Sequence, residues 1–164
     1  FAVASAVTAW FGGNLVSRVG RPLVVWGLAV VLLSVVALAV VASAVPAGVV
    51  EIAMAAVMVV AGAGAGFVVA PNQALTLADI PTREGGVAGS VGQLGQRVGT
   101  AVGTAIGLSL FYSTISREKG DGHEGLAVFH EAYAYGMIAV GVFVAIALLI
   151  GVIDLGARRR AAQD

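Results

Sequence analysis

Apolar residues in this chain gather into long runs separated by short polar breaks, and the breaks fall at nearly regular intervals. Residues 1–11 form the end of one apolar run, closed by Trp10 and Phe11, whose amphipathic rings favour a membrane headgroup level. Residues 12–22 follow as a polar connection carrying Arg18 and Arg21. Residues 23–45 contain no charge, and at 1.5 Å per residue they reach roughly 34 Å, enough to cross a hydrocarbon core with some tilt. Pro46-Ala47-Gly48 reads as a turn, because proline presets φ and glycine accepts either sign of it. Residues 49–70 make the next run, with Glu51 at its start and alternating alanine and glycine near its end. Pro71 then stops or kinks it. After a polar stretch, 72–86, residues 87–112 form a further span, 113–131 a charged solvated loop, and 132–156 a last span before a tail at 157–164. The pattern predicts an all-α, polytopic transmembrane helical bundle of about four full spans plus the end of a fifth.

Composition strengthens this reading. Hydrophobic residues make up 59% of the chain and charged residues 11%, against about 25% charged in soluble domains. The formal net charge is zero, which offers nothing to a nucleic acid. With no cysteine, disulfides, thiolate chemistry and cysteine-held metals are excluded together. The first residue lies inside an apolar run, with no initiator methionine and no basic leader, so the chain reads as a fragment of a longer protein. Arginine and lysine are distributed unevenly about the spans. One side receives Arg18, Arg21, Arg83 and Arg158-Arg159-Arg160, the other only Arg117 and Lys119. The excess marks the first side as cytoplasmic, with the C-terminus inside a cell (inner) membrane.

Three groups of residues carry candidate chemistry. The first is the connection Gly13-Asn14-Leu15-Val16-Ser17-Arg18-Val19-Gly20-Arg21-Pro22. Its glycines permit a sharp reversal, and its arginines can bond helix-end carbonyls and clasp neighbouring spans, which suits a gate. The same arginines also serve simply to set topology. The stretch resembles the loop motif of the major facilitator superfamily, Gly-x-Leu-Ala-Asp-Arg-x-Gly-Arg-Arg/Lys, at Gly13, Leu15, Arg18, Gly20 and Arg21. Ser17 stands where the family usually has aspartate and Pro22 where it has a base, as in a weaker second-half copy.

The second group is Gly62, Gly64 and Gly66 with Pro71 and Asn72. A dinucleotide-binding loop is excluded, since that fingerprint needs a preceding strand and a small residue where Phe67 stands. In a span, such glycines either let helices approach closely or let one bend, and Pro71 frees a carbonyl that a cavity or neighbouring helix must satisfy. From here through Gly107 the chain is similar to the next-to-last helix pair of the fourteen-span drug:proton antiporters, the EmrB/QacA subfamily, including Pro71-Asn72, Asp79-Ile80-Pro81 and the glycine-rich helix beyond.

The third group lies in the span at 87–112. Gly95, Gly99, Gly103 and Gly107 repeat every four residues, a ladder suited to close helix packing. Gln93, Gln96, Arg97, Thr100 and Thr104 accompany them. If the membrane began only after Arg97, residues 98–112 would supply about 22 Å of helix, short of a core of roughly 30 Å. That shortfall favours Arg97 within membrane depth, facing a cleft or another helix, over a snorkelling position at the headgroups. Asp154 and Arg158, four apart, are placed to pair at a helix end. His123-Glu124 lacks a second zinc histidine, because Ala127 occupies its place, so His123 and His130 read as solvated loop residues.

The resemblance implies a non-enzymatic function: proton-coupled export of a small amphiphile by alternating access, with no cofactor and the proton gradient as energy source. It makes Gly13, Leu15, Arg18, Gly20 and Arg21 the cytoplasmic gate, Gly62, Gly64, Gly66, Pro71 and Asn72 the cavity helix, and Gln93, Gln96, Arg97, Thr100 and Thr104 contacts at the cavity or between bundles. Its partners would be the lipid bilayer, the missing N-terminal bundle and a small-molecule substrate. The alternative is a membrane protein without transport activity, or a transporter remnant, that acts by helix association through the glycine ladder.

Overall fold

The computed structural model describes residues 1–78, 80–120 and 126–161, with the backbone alone at residues 47, 119, 120, 126, 127, 130, 131, 158, 159 and 161. Five helices account for nearly all of it: α1 (Ala2–Val19), α2 (Arg21–Ala44), α3 (Ala47–Leu77), α4 (Gly85–Gly120) and α5 (Leu126–Ala161). Among the described residues there is no strand, and the fold is an all-α helical bundle. Four stretches, Arg21–Ala44, Gly48–Leu77, Gly85–Glu118 and Ala132–Ala157, are long and apolar enough to cross a membrane.

The helices run past the expected span ends, for identifiable reasons. The connection expected over residues 12–22 shrinks to one residue, because α1 continues to Val19 and α2 starts at Arg21. Gly20 alone breaks the helix, at φ 66 and ψ −141, a conformation that suits glycine and strains residues with a Cβ. Its N–H still donates to the Val16 carbonyl at 2.8 Å, and Pro22 falls in the first turn of α2, where its missing N–H costs nothing. Pro71 neither ends nor opens α3, which extends through it to Leu77 and so absorbs the first part of the expected loop at 72–86. The loop expected at 113–131 is largely helical too, since α4 reaches Gly120 and α5 begins at Leu126. The tail expected at 157–164 is helical as far as Ala161.

Helix α3 is the centre of the assembly. It packs along α1 on one side and α2 on the other, α2 in turn packs on α5, and α5 on α4. Close approach on α3 depends on missing side chains. A Cβ at Gly66 would strike the Thr8 hydroxyl and the Ser5 carbonyl of α1, and one at Gly62 would strike the backbone of Phe1. On the opposite side, a Cβ at Gly27 of α2 would stand 2.9 Å from the Gly64 carbonyl oxygen and 2.8 Å from Val68 Cγ2. Pro71 is fully buried, with its ring against Gly12, where a Cβ would come within 3.2 Å of Pro71 Cγ. Phe1, Ser5 and Gly12 thus meet successively later residues of α3, so α1 and α3 run parallel with α2 antiparallel between them in sequence.

These contacts also fix levels along the bundle. Gly12 and Gly27 both pack beside Phe67, which brings Trp10 and Trp26 to a common height. Both rings are outward, 75% and 71% exposed. Gly151 of α5 packs on Val25 and Leu28 at that same height. Tyr135, exposed on α5, lies roughly 16 residues or about 24 Å away from it. Two aromatic levels therefore bracket an apolar band close to the thickness of a bilayer core.

Candidate functional site

Helices α3 and α4 are joined through residues 78–84, where the Ile80 N–H donates to Leu77 O and the Glu84 N–H to Pro81 O. Asp79 lies outside the described residues. Beyond this turn the two helices do not close on each other. A cleft of about 800 Å³ opens between the last turns of α3 and the first half of α4, lined by Val68, Val69, Asn72, Gln73, Thr76 and Leu77 on one wall and by residues between Gly85 and Gln96 on the other. The α4 wall is mostly glycine, alanine and serine, and it contributes Gln93 and Gln96.

The polar groups of the cleft divide into two kinds. Its hydroxyls are occupied locally, Thr76 donating to Asn72 O at 2.8 Å and Ser90 to Gly86 O at 2.8 Å. The side-chain amides of Asn72, Gln73, Gln93 and Gln96 make no side-chain hydrogen bond among the described residues. No acidic, basic or aromatic residue lines the cleft among the described residues. Each amide offers both donors and an acceptor, so the site is equipped for hydrogen bonding to an uncharged polar group.

The cleft continues into a second hollow along α4, about 600 Å³, lined by Gln96, Arg97, Thr100, Ala101, Thr104, Ala105 and Leu108. Gln96 belongs to both. Thr100 donates its hydroxyl to Gln96 O at 2.9 Å, satisfying it within the helix. Arg97 is exposed, with no ion pair or hydrogen bond among the described residues. Every residue of the stretch 90–102 is exposed.

Expectation and geometry agree unevenly. Asn72, Gln93 and Gln96 come together in the cleft, and Gln96, Arg97, Thr100 and Thr104 in the adjoining hollow. Gly62, Gly64 and Gly66 instead face α1 and α2, so they serve close packing, and Pro71 is buried beside Gly12. Gly95 borders the cleft, while Gly99, Gly103 and Gly107 have open space where a Cβ would be, so the ladder holds no helix among those described. Gly13, Leu15 and Arg18 sit on the last turns of α1, Gly20 forms the break, and Arg21 opens α2.

One expectation changes, and another gains a partner. The shortfall that argued for Arg97 deep in the membrane disappears, because α4 continues to Gly120: residues 98–115 alone supply about 27 Å of helix. As Gln96 and Val68 border the same cleft, Arg97 stands near the height of Trp10 and Trp26. Asp154 is engaged by Arg21, 133 residues away, with Nη1 to Oδ2 at 2.5 Å, an interhelical link that the spacing to Arg158 did not reveal. The Arg158 side chain, like His123, Glu124 and the His130 side chain, lies outside the described residues. Gln73 and Thr76 were missed because the expected span stopped at residue 70; their spacing from Asn72 and Val69 on a continuing helix would have placed them on one face.

The fold defines a class, an all-α bundle of the multi-pass membrane type. Comparison with protein-family models, with curated proteins and with solved structures finds no match.

Proposed function

We propose that this chain is the C-terminal part of the second helical bundle of a proton-coupled exporter of the major facilitator type, moving a small amphiphile by alternating access. The observation that carries the reading is the α3–α4 cleft, which places four uncommitted amides between two helices of membrane-crossing length. The cleft opens on the headgroup side of the Trp10 and Trp26 level, where the mouth of a transport path would receive the polar end of an amphiphile. The exposed stretch at 90–102 then faces the first bundle across the transport path. The arginine-bearing end is cytoplasmic in this reading, in a cell (inner) membrane, with the C-terminus inside. Gly20 and the Arg21–Asp154 link form the gate region on that face.

The test is efflux of a fluorescent amphiphile by the full-length protein in cells or vesicles. Replacing Arg97 by alanine, or Gln93 and Gln96 together by leucine, lowers the initial efflux rate by about tenfold or more at unchanged expression, the effect of losing roughly 1.4 kcal/mol of binding. Efflux that persists at the wild-type rate in both variants removes the cleft from the transport path.

A second reading is favoured by one observation, the uncovered ladder at Gly99, Gly103 and Gly107. It makes the chain a non-transporting membrane protein that associates through α4. Replacing Gly103 by leucine would then abolish cross-linking to the partner helix, in a protein whose efflux is nil from the start.

A further inference from the structure

We infer that the cleft and the hollow of α4 together form a binding site for a single phosphate-headed, hydroxylated lipid, with the phosphate at Arg97, the headgroup in the cleft and an acyl chain along α4. The inference deepens the transport reading by naming the amphiphile, and rests on that reading only for what happens to the lipid after it binds.

Three observations converge. The first is height. Arg97 stands near the level of Trp10 and Trp26, whose exposed rings mark a boundary between headgroups and hydrocarbon. An exposed guanidinium at that level lies where lipid phosphates lie, and a phosphate accepts its paired N–H donors in charge-assisted bonds. The second is the order of polarity. From Gln96 inward, the wall passes from amide, through Arg97, to Thr100, Ala101, Thr104, Ala105 and Leu108 over roughly 18 Å of α4, with the Thr100 hydroxyl turned back onto Gln96 O and no charge beyond Arg97. A lipid has that same sequence of headgroup, phosphate and chain. The third is the chemistry of the cleft. With neither a carboxylate nor an aromatic ring among its described lining residues, it offers no counter-charge and no ring face to a choline head, which has no N–H to give the amides. The free amides of Asn72, Gln73, Gln93 and Gln96 suit the hydroxyls of a glycerol head instead.

The experiment is native mass spectrometry of the full-length protein in detergent, titrated separately with phosphatidylglycerol, phosphatidylcholine and water-soluble glycerol phosphate. Phosphatidylglycerol is expected to bind about fivefold or more tightly than phosphatidylcholine, the effect of one cation acting at a lipid surface. Arg97→Gln removes that preference and Arg97→Lys restores part of it. Ala101→Phe, which projects a ring across the path of the chain and leaves Arg97 intact, weakens binding of the lipid. Arg83→Gln, at the same end but ion-paired to Glu84, leaves binding unchanged. Equal binding of the two lipids, or full retention in both Arg97→Gln and Ala101→Phe, overturns the proposal. So does glycerol phosphate competing as well as the lipid, which would make this a site for a soluble phosphate. Selective binding by a protein that shows no efflux would overturn the exporter reading and leave the lipid site standing; efflux without lipid preference would do the reverse.

Discussion

Gly66 and Gly99 look alike in the sequence, each a small residue in a glycine-rich run, yet their surroundings are opposite. A methyl group at Gly66 would meet the Thr8 hydroxyl and the backbone of Ser5 and Ala9, with nowhere to go unless α1 shifts. At Gly99 nothing lies within 4 Å of the same position. Gly66→Ala should therefore destabilise the bundle by about 1–3 kcal/mol, the usual cost of overpacking. Gly99→Ala should be neutral or stabilising by up to about 1 kcal/mol, since alanine is the better helix former. Unfolding by titration with a denaturing detergent, followed by circular dichroism, reads both. Equal stability of the two variants would mean that α1 does not dock on α3 at this distance. If Gly99→Ala proved the more damaging, a helix from elsewhere in the protein covers the ladder.

Between elements, a polar link of long sequence separation among the described residues is the ion pair of Arg21, at the start of α2, with Asp154, near the end of α5. Their side chains are 30% and 40% exposed, so solvent screens the pair and its net contribution is at most about 1 kcal/mol. Asp154→Asn should accordingly lower stability only slightly, while about 1 M salt, which shortens the screening length to roughly 3 Å, reduces the wild type toward the variant in the same unfolding titration. A large loss insensitive to salt would assign Asp154 a packing role instead. This pair also marks a limit of sequence reading. Helical spacing exposes partners three or four residues away, and so suggested Arg158; it carries no signal for a partner across the bundle. Span interiors were legible, because apolar runs of that length seldom occur outside membrane-crossing helices. Their ends were not, because hydropathy reports where lipid stops rather than where the helix stops. Residues 72–77 and 113–120 are polar enough to leave the membrane and still helical. Pro71 misled for a related reason. Its cost as a helix breaker is offset by burial of its ring against Gly12, a contact between two helices that neither run announces.

At the scale of the whole molecule, the alternation of helices makes a strict statement about sides. Since α1 and α3 run parallel and α2 is antiparallel to them, Gly20 and the α3–α4 turn lie at one end of the bundle. The Arg21–Asp154 contact brings the end of α5 to that end too. The far end then holds the α2–α3 turn at Val45-Pro46 and the last turns of α4 around Ser116. These 164 residues contain no cysteine, so once any cysteine elsewhere in the full-length protein is replaced, single cysteines can be introduced without background. Arg83→Cys and Ala157→Cys should react with a membrane-impermeant maleimide from the same side of sealed vesicles. Ala44→Cys and Ser116→Cys should react only from the other. The aromatic levels sharpen the expectation further. Cysteines at Val36 of α2 and Ile146 of α5, both outward-facing and between the two levels, should resist labelling from either side until detergent is added. Labelling of Arg83→Cys and Ala157→Cys from opposite sides would contradict the helix order itself. Ready labelling at Val36 or Ile146 would instead leave the order intact and displace the apolar band from the region between Trp26 and Tyr135.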